Sequence, residues 1–306
     1  MGQFLGALVV FLDKYIVTEE KVLPRPFVYA FYSCLLTGFW VVVYFLGYVP
    51  GLTNLGIPSF EDIAKPTIQV VGMSFLAAYT LFMALVSFYD ALRRGEAINV
   101  MPVVGGLAAL FAFVFNYLLL DIALAWLVVL GIFLLIIGTF LVAAELPGRN
   151  SFLSLVHSGL FFGLHSITMK GLFEETNFAD GFFWSRMGLV VFTLSLLLVP
   201  TYLDKIKNQT AVTSARAGGL VILAKVLAGV SAFLILKATD LGDAAVVQAL
   251  DGVKFVFILL ISVLFASLLP KSAVEIDMRP RAVLRQISYV TIIAVGLGLL
   301  VYHGSL

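Results

Sequence analysis

Residues 242–270 read GDAAVVQALDGVKFVFILLISVLFASLLP. The run has the apolar length of a membrane-crossing helix, because about 20 residues rising about 1.5 Å each span a hydrocarbon core of roughly 30 Å. Its first half nevertheless holds Gln248, Asp251 and Lys254. Polar groups that deep in a span are costly in lipid and belong against a cavity or a partner helix. An echo lies upstream. Residues 95–120 read GEAINVMPVVGGLAALFAFVFNYLLL, and an offset of 147 residues (242 − 95) lays Gly95 on Gly242, Glu96 on Asp243, Ala97 on Ala244 and Gly105 on Gly252. The chain therefore reads as a duplication.

Working outward, the 306 residues are 61% hydrophobic and 12% charged, with a mean hydropathy of +1.08. A soluble core of this size leaves a polar shell that such a composition cannot supply, so a polytopic, all-α integral membrane protein is expected. The formal net charge of +1, with basic residues scattered between spans, offers no surface for nucleic acid. One cysteine, Cys34, precludes an intramolecular disulfide, and with three histidines there is no Cys/His cluster for zinc. The N-terminus lacks a basic n-region and a small-residue cleavage site, so it reads as a short retained span whose natural start lies at or before Met1.

Ten hydrophobic segments run over 2–17, 27–49, 67–89, 97–120, 122–144, 152–173, 182–199, 218–236, 244–269 and 283–303. Pro24, Pro26, Pro50, Pro147, Pro200, Pro270 and Pro280 separate most of them. Ser74, Ser87, Ser158, Gly159, Gly163, Gly229 and Ser231 are small residues of the kind that let helices approach closely in lipid. The repeat extends to the first segment of each half: DKYIVTEE from Asp13 resembles MKGLFEET from Met169, with Lys14 on Lys170. Five spans then repeat as five, over 1–146 and 151–306. An odd number per copy inverts the second half, which places a pocket between the halves near the midplane. Most basic residues fall in one set of loops, so by the positive-inside tendency that face is cytoplasmic and both termini lie outside.

The paired five-span halves, the AL-R-x-G-E-A-x-x-V-x-P run of Ala91–Pro102, LDKYIV at 12–17, and QALDGVKFVFILL at 248–260 with P-K-x-x-x-E at 270–275 resemble the drug/metabolite transporter superfamily, in particular its EamA-type ten-span members. Where EamA repeats often end their fourth span with a glutamate, this chain has Asp121 nearby. The resemblance implies a transporter with both termini in the cytoplasm, against the charge tally, and the orientation stays open between the two.

The candidate binding residues are Asp251, Gln248, Lys225, His165, Arg186, Lys254, Asn99 and Tyr79, with Pro102 as a hinge. Gln248, Asp251 and Phe255 share a helix face, and Lys254 can reach back to Asp251, either to neutralise it or to leave it facing substrate. Lys225 either snorkels toward the basic face or meets Asp251 or an anionic substrate group. His157, Phe161, His165 and Thr168 form one stripe; His165 is either an ordinary hydrogen-bonded interior histidine or a proton carrier. Arg186 either anchors at the surface or clamps a carboxylate or phosphate. Adjacent Asp13 and Lys14 point about 100° apart, so at least one meets another helix. Asn99 and Pro102 open the fourth span, where proline loosens the backbone, and Tyr79 is deep enough to line a cavity.

Catalytic motifs are absent: there is no nucleophile elbow, no phosphate-cradling loop and no His-Glu-x-x-His pair. The expectation is a secondary transporter of a small polar metabolite, amino-acid-like, in a cytoplasmic membrane, gradient-driven and without cofactor. Its partners would be the solute, protons and the lipid bilayer, and it would work as a monomer or homodimer. The rivals are a lipid-carrier flippase and a non-transporting membrane scaffold.

Overall fold

A computed structural model describes residues 1–18, 25–50, 57–95, 97–120, 124–142, 149–264 and 280–302. Glu96, Asp121 and the Pro270–Glu275 run lie outside the described residues. Those described form helices and no strands: α1 (Gly2–Thr18), α2 (Pro26–Gly38), α3 (Ile68–Arg94), α4 (Ala97–Leu119), α5 (Trp126–Val142), α6 (Arg149–Glu175), α7 (Phe178–Ser195), α8 (Pro200–Val212), α9 (Ala215–Leu241), α10 (Ala244–Ala249), α11 (Asp251–Leu264) and α12 (Pro280–Tyr302). Among the described residues, six helical stretches are long and apolar enough to cross a membrane, the make-up of an all-α, multi-pass membrane protein. They are 26–48, 68–94, 99–119, 151–175, 178–198 and 215–241. The other expected spans are shorter or interrupted: α1 has 17 residues, α5 and α12 hold shorter apolar stretches, and the segment expected at 244–269 breaks between α10 and α11 at Leu250.

The helix ends repeat with the spacing read from Gly95 and Gly242. Helices α3 and α9 each have 27 residues. Thr67 caps the first by accepting from the Val70 N–H at 3.2 Å, and Ser214 caps the second by accepting from the Ala217 N–H at 3.2 Å. Such caps satisfy amides that have no intrahelical partner. At the far ends Gly95 donates to the Ala91 carbonyl and Gly242 to that of Ala238, both at 2.9 Å. All four correspondences carry the offset of 147. The same offset lays Pro102, inside α4, on Ala249, the last residue of α10. A proline inside a helix leaves the carbonyl one turn back unbonded. At this place the second half's segment stops and restarts, while α4 runs on unbroken through Pro102 with one backbone bond fewer.

Two features depart from the hydropathy reading. Helix α2 tightens into a 3-10 stretch, Phe39–Tyr48, much as α7 ends in a short one at Leu196–Leu198. The 200–212 segment, expected as a loop, is helix α8, with Pro200 in its first turn where a missing N–H costs nothing. It lies across the start of α2, with Tyr202 against Phe27 at 4.9 Å and Thr210 bonded to Tyr32 at 2.6 Å.

Helices α3 and α6 run antiparallel, since Ser87 meets His157, Ala84 meets Ser158 and Ala77 meets His165. Helices α1 and α9 do likewise: Gly2 lies against Ser231 and Asp13 against Lys225. Helix α5 crosses α12 antiparallel, with Gly131 close to Leu300 and Gly138 close to Ile293. Helices α4 and α6 run parallel in near backbone contact. A Cβ on Gly159 would collide with Leu107, and one on Gly163 would stand 2.8 Å from the Phe111 side chain and 2.9 Å from the Ala108 carbonyl. Trp40 fills the space that a side chain at Gly229 would need.

Candidate functional site

Two ion pairs lie at two places along α1. Seven residues, two turns and roughly 10 Å separate Gly6 from Asp13, so both lie on one face of the helix. That face meets α9 and α11.

At the first place, Lys225 Nζ of α9 stands 2.8 Å from Asp13 Oδ1, with the two side chains 4% and 6% exposed. Tyr29 of α2 donates its hydroxyl to Asp13. Lys225 donates to the Tyr89 hydroxyl of α3 at 3.0 Å, Tyr89 lies 3.4 Å from Asp13 Oδ2, and Ser33 holds Tyr89 at 3.0 Å. The ammonium also faces the Tyr29 ring at 4.4 Å and the Tyr89 ring at 5.3 Å. Four helices thus share one buried ion pair. Withdrawing two charges from water is costly, and these added hydrogen bonds and ring faces offset the loss. Lys225 does not snorkel to the surface, and its carboxylate is that of Asp13, not Asp251.

Beside Asp13, Lys14 turns the other way and donates to the carbonyls of Leu92 and Gly95, both at 2.8 Å. Lys170, its counterpart in the repeat, donates to the Asp240 carbonyl at 3.3 Å. Each lysine thus leaves the first helix of its half to bind the carbonyl end of the third, where the helix dipole favours a cation.

The second place is the break between α10 and α11. Asp251 opens α11, where a carboxylate suits the positive helix end, and receives Lys254 at 3.1 Å and Gln248 Nε2 at 3.2 Å. The pair is less enclosed than the first, at 12% exposure for Lys254 and 18% for Asp251. Gly6 makes room for the Lys254 stem, 3.0 Å from where a Cβ would stand, and Gly105 of α4 makes room for Phe255. Asp243, on the repeat position of Glu96, caps α10 through the amides of Ala245 and Val246 and accepts from Asn116 of α4 at 3.1 Å.

The remaining candidates are dispersed. His165 bonds the Ala77 carbonyl at 2.9 Å and His157 bonds Ser87 at 2.7 Å, so both tie α6 to α3. Tyr79 is 43% exposed, with its ring edge-on to Phe161 and Phe192. Asn99, in the first turns of α4, is partly buried and already engaged. Arg186 is the ninth residue of the 18-residue α7, deeper than its expected place near a span end, and is 2% exposed. Its guanidinium lies 5.0 Å from the Phe182 ring centroid. Among the described residues no three His, Cys, Asp or Glu converge to hold a metal.

No family model and no curated protein matches this chain. Solved structures do: one crystal structure of a protein superposes with a TM-score of 0.60 over 97% of this chain and 98% of its own, at 12% sequence identity. At that identity the likeness concerns the fold alone.

Proposed function

We propose that the chain is a secondary transporter or exporter of a small polar metabolite, working by alternating access between two inverted five-helix halves, 1–146 and 151–306. The observation that carries this reading is the pairing of Pro102 in α4 with the α10–α11 break at the equivalent place in the other half. Interrupted helices at corresponding positions of two repeats are where transporters of inverted architecture build their sites, because freed backbone groups there can meet a solute. The antiparallel crossing of α5 with α12, and the mirrored roles of Lys14 and Lys170, support an axis relating the halves in the membrane plane. Gln248, Asp251 and Lys254 gather at that break, partly exposed, and present both signs of charge, as an amino-acid-like solute needs. The Asp13–Lys225 pair ties the first half to the second, a contact that rocking has to loosen.

The test is counterflow in proteoliposomes loaded with a mixture of labelled amino acids and other polar metabolites, read by mass spectrometry. Flux of at least one solute above that of protein-free vesicles, reduced at least tenfold by Asp251→Asn and by Lys225→Ala, is the expected result. No solute moving faster than in empty vesicles would remove transport. Flux untouched by both substitutions would remove these residues from it.

A membrane scaffold is the second reading, favoured by the internal neutralisation of both ion pairs. Arg186 counts against it, since a scaffold has no reason to retain an uncompensated interior charge.

A further inference from the structure

Arg186 is an interior cation that meets no anion among the described residues. Its side chain is buried in the middle of α7, and Nε is a buried donor with no partner. Among the described residues no carboxylate and no hydrogen-bond acceptor reaches the guanidinium, which has the Phe182 ring as its polarisable neighbour. Every other buried charge among the described residues is answered: Asp13 by Lys225, Lys14 by the carbonyls that end α3, and Asp180 by the Ala64 amide at 2.6 Å and Asn177 at 2.9 Å.

A guanidinium almost wholly withdrawn from water with its Nε–H unbonded is a costly arrangement for a fold to hold. A planar fork of N–H donors is also the best side-chain match for a carboxylate, sulfonate or phosphate. We infer that Arg186 is the anion subsite of the transporter, its missing counter-charge being supplied by an oxyanion group of the solute. Its depth, about 12 Å of helix from the start of α7, lies well inside the apolar layer. That depth favours the oxyanion of a small water-soluble solute over a lipid phosphate held at the headgroup level. The inference rests on the transport reading for its purpose, but binding is measurable without flux.

The experiment is thermal unfolding of detergent-purified protein in chloride buffer, titrated with benzoate, methanesulfonate or glycerol 3-phosphate. Benzamide serves as the uncharged control and dihexanoyl phosphatidylglycerol as the lipid arm. A ligand that binds the folded form alone raises the melting point in a saturable way. The expected result is a rise of about 2 °C or more with at least one soluble oxyanion at roughly ten times its Kd, none with benzamide, and none in Arg186→Met or Arg186→Gln. Without ligand both variants melt at or above the parent temperature, because they lose an unpaired buried charge; a purely structural arginine would lower it. The inference is overturned by the absence of any saturable rise, by a rise that persists in both variants, or by one produced by the lipid alone. Saturable oxyanion binding without flux would sink transport and leave the subsite standing.

Discussion

Asp13 and Lys225 stand 2.8 Å apart although 212 positions of sequence separate them, and they join α1 of the first half to α9 of the second. Removing one member of a buried pair strands the other charge in a medium that cannot solvate it. Asp13→Asn or Lys225→Met alone is expected to cost about 3 kcal/mol, whereas Asp13→Leu with Lys225→Met costs less than either single change. Thermal unfolding of the four proteins in one detergent completes the cycle. Additive losses would mean that the two groups do not act as a pair.

How far the sequence leads is clearest at α9. Its length does not follow, since the apolar count ends at 218 and 236 while the helix runs from Ala215 to Leu241 through polar end turns. Its correspondence with α3 does follow from the spacing of Gly95 and Gly242, because capping is local chemistry and a duplicated sequence duplicates it. The mirrored lysines were legible for the same reason. The carboxylate facing Lys225 was not: two helices of different halves meet through tertiary packing that no periodicity encodes, and the sequence pointed to Asp251 or a substrate anion instead of Asp13. Tyr29 and Tyr89 read from sequence as interfacial belt or packing residues, and Ser33 carries no signal at all, because aromatic and small residues are ordinary in spans. Helix α8 was missed because it is too polar for an apolar count. The break at Leu250 carries no glycine or proline of its own, and the aligned Pro102 is the one hint of it.

Lys14 and Lys170 perform one task at different depths, so their removal should differ in degree. Lys14 makes two 2.8 Å bonds from a buried position, while Lys170 makes one of 3.3 Å and is partly drawn to Glu174 at 3.7 Å. Lys14→Met is expected to lose about 2 kcal/mol and Lys170→Met less than about 1 kcal/mol. Hydrogen exchange gives the local readout: amides at the end of α3 should exchange faster in the first variant and those at the end of α9 in the second. Loss of protection elsewhere but not at those ends would separate the lysines from the carbonyls they bond.

The proposed inversion of the halves has a consequence for labelling. Lys65 follows α2 and Lys205 lies on α8 after α7, and both are exposed. If the second half is upside down relative to the first, these sites lie on opposite faces of the membrane. A Lys65→Cys protein and a Lys205→Cys protein should react with an impermeant maleimide from opposite sides of sealed vesicles of known orientation. Cys34 is fully buried and contributes no background. Labelling of both from one side would leave the halves parallel and the inverted arrangement untenable. The side on which Lys205 reacts also decides between the charge tally and the orientation implied by the resemblance.

Pro102 interrupts the bonding of α4 where it packs on the α10–α11 break, with Gly105 against Phe255. Restoring the N–H by Pro102→Ala adds one intrahelical hydrogen bond and removes the ring that strains the preceding turn, so the variant should be more stable by about 1 kcal/mol. A stiffer α4 resists bending, and the interconversion of the two access states should slow with it. The expected pattern is therefore a higher melting temperature, slower hydrogen exchange in the first turns of α4, and an initial rate of solute exchange at least fivefold lower at unchanged half-saturation. That split is informative because a binding residue would move half-saturation and a packing residue would move stability alone. A Pro102→Ala protein that is stabilised yet exchanges solute at the parental rate would show that α4 does not bend at this point during transport.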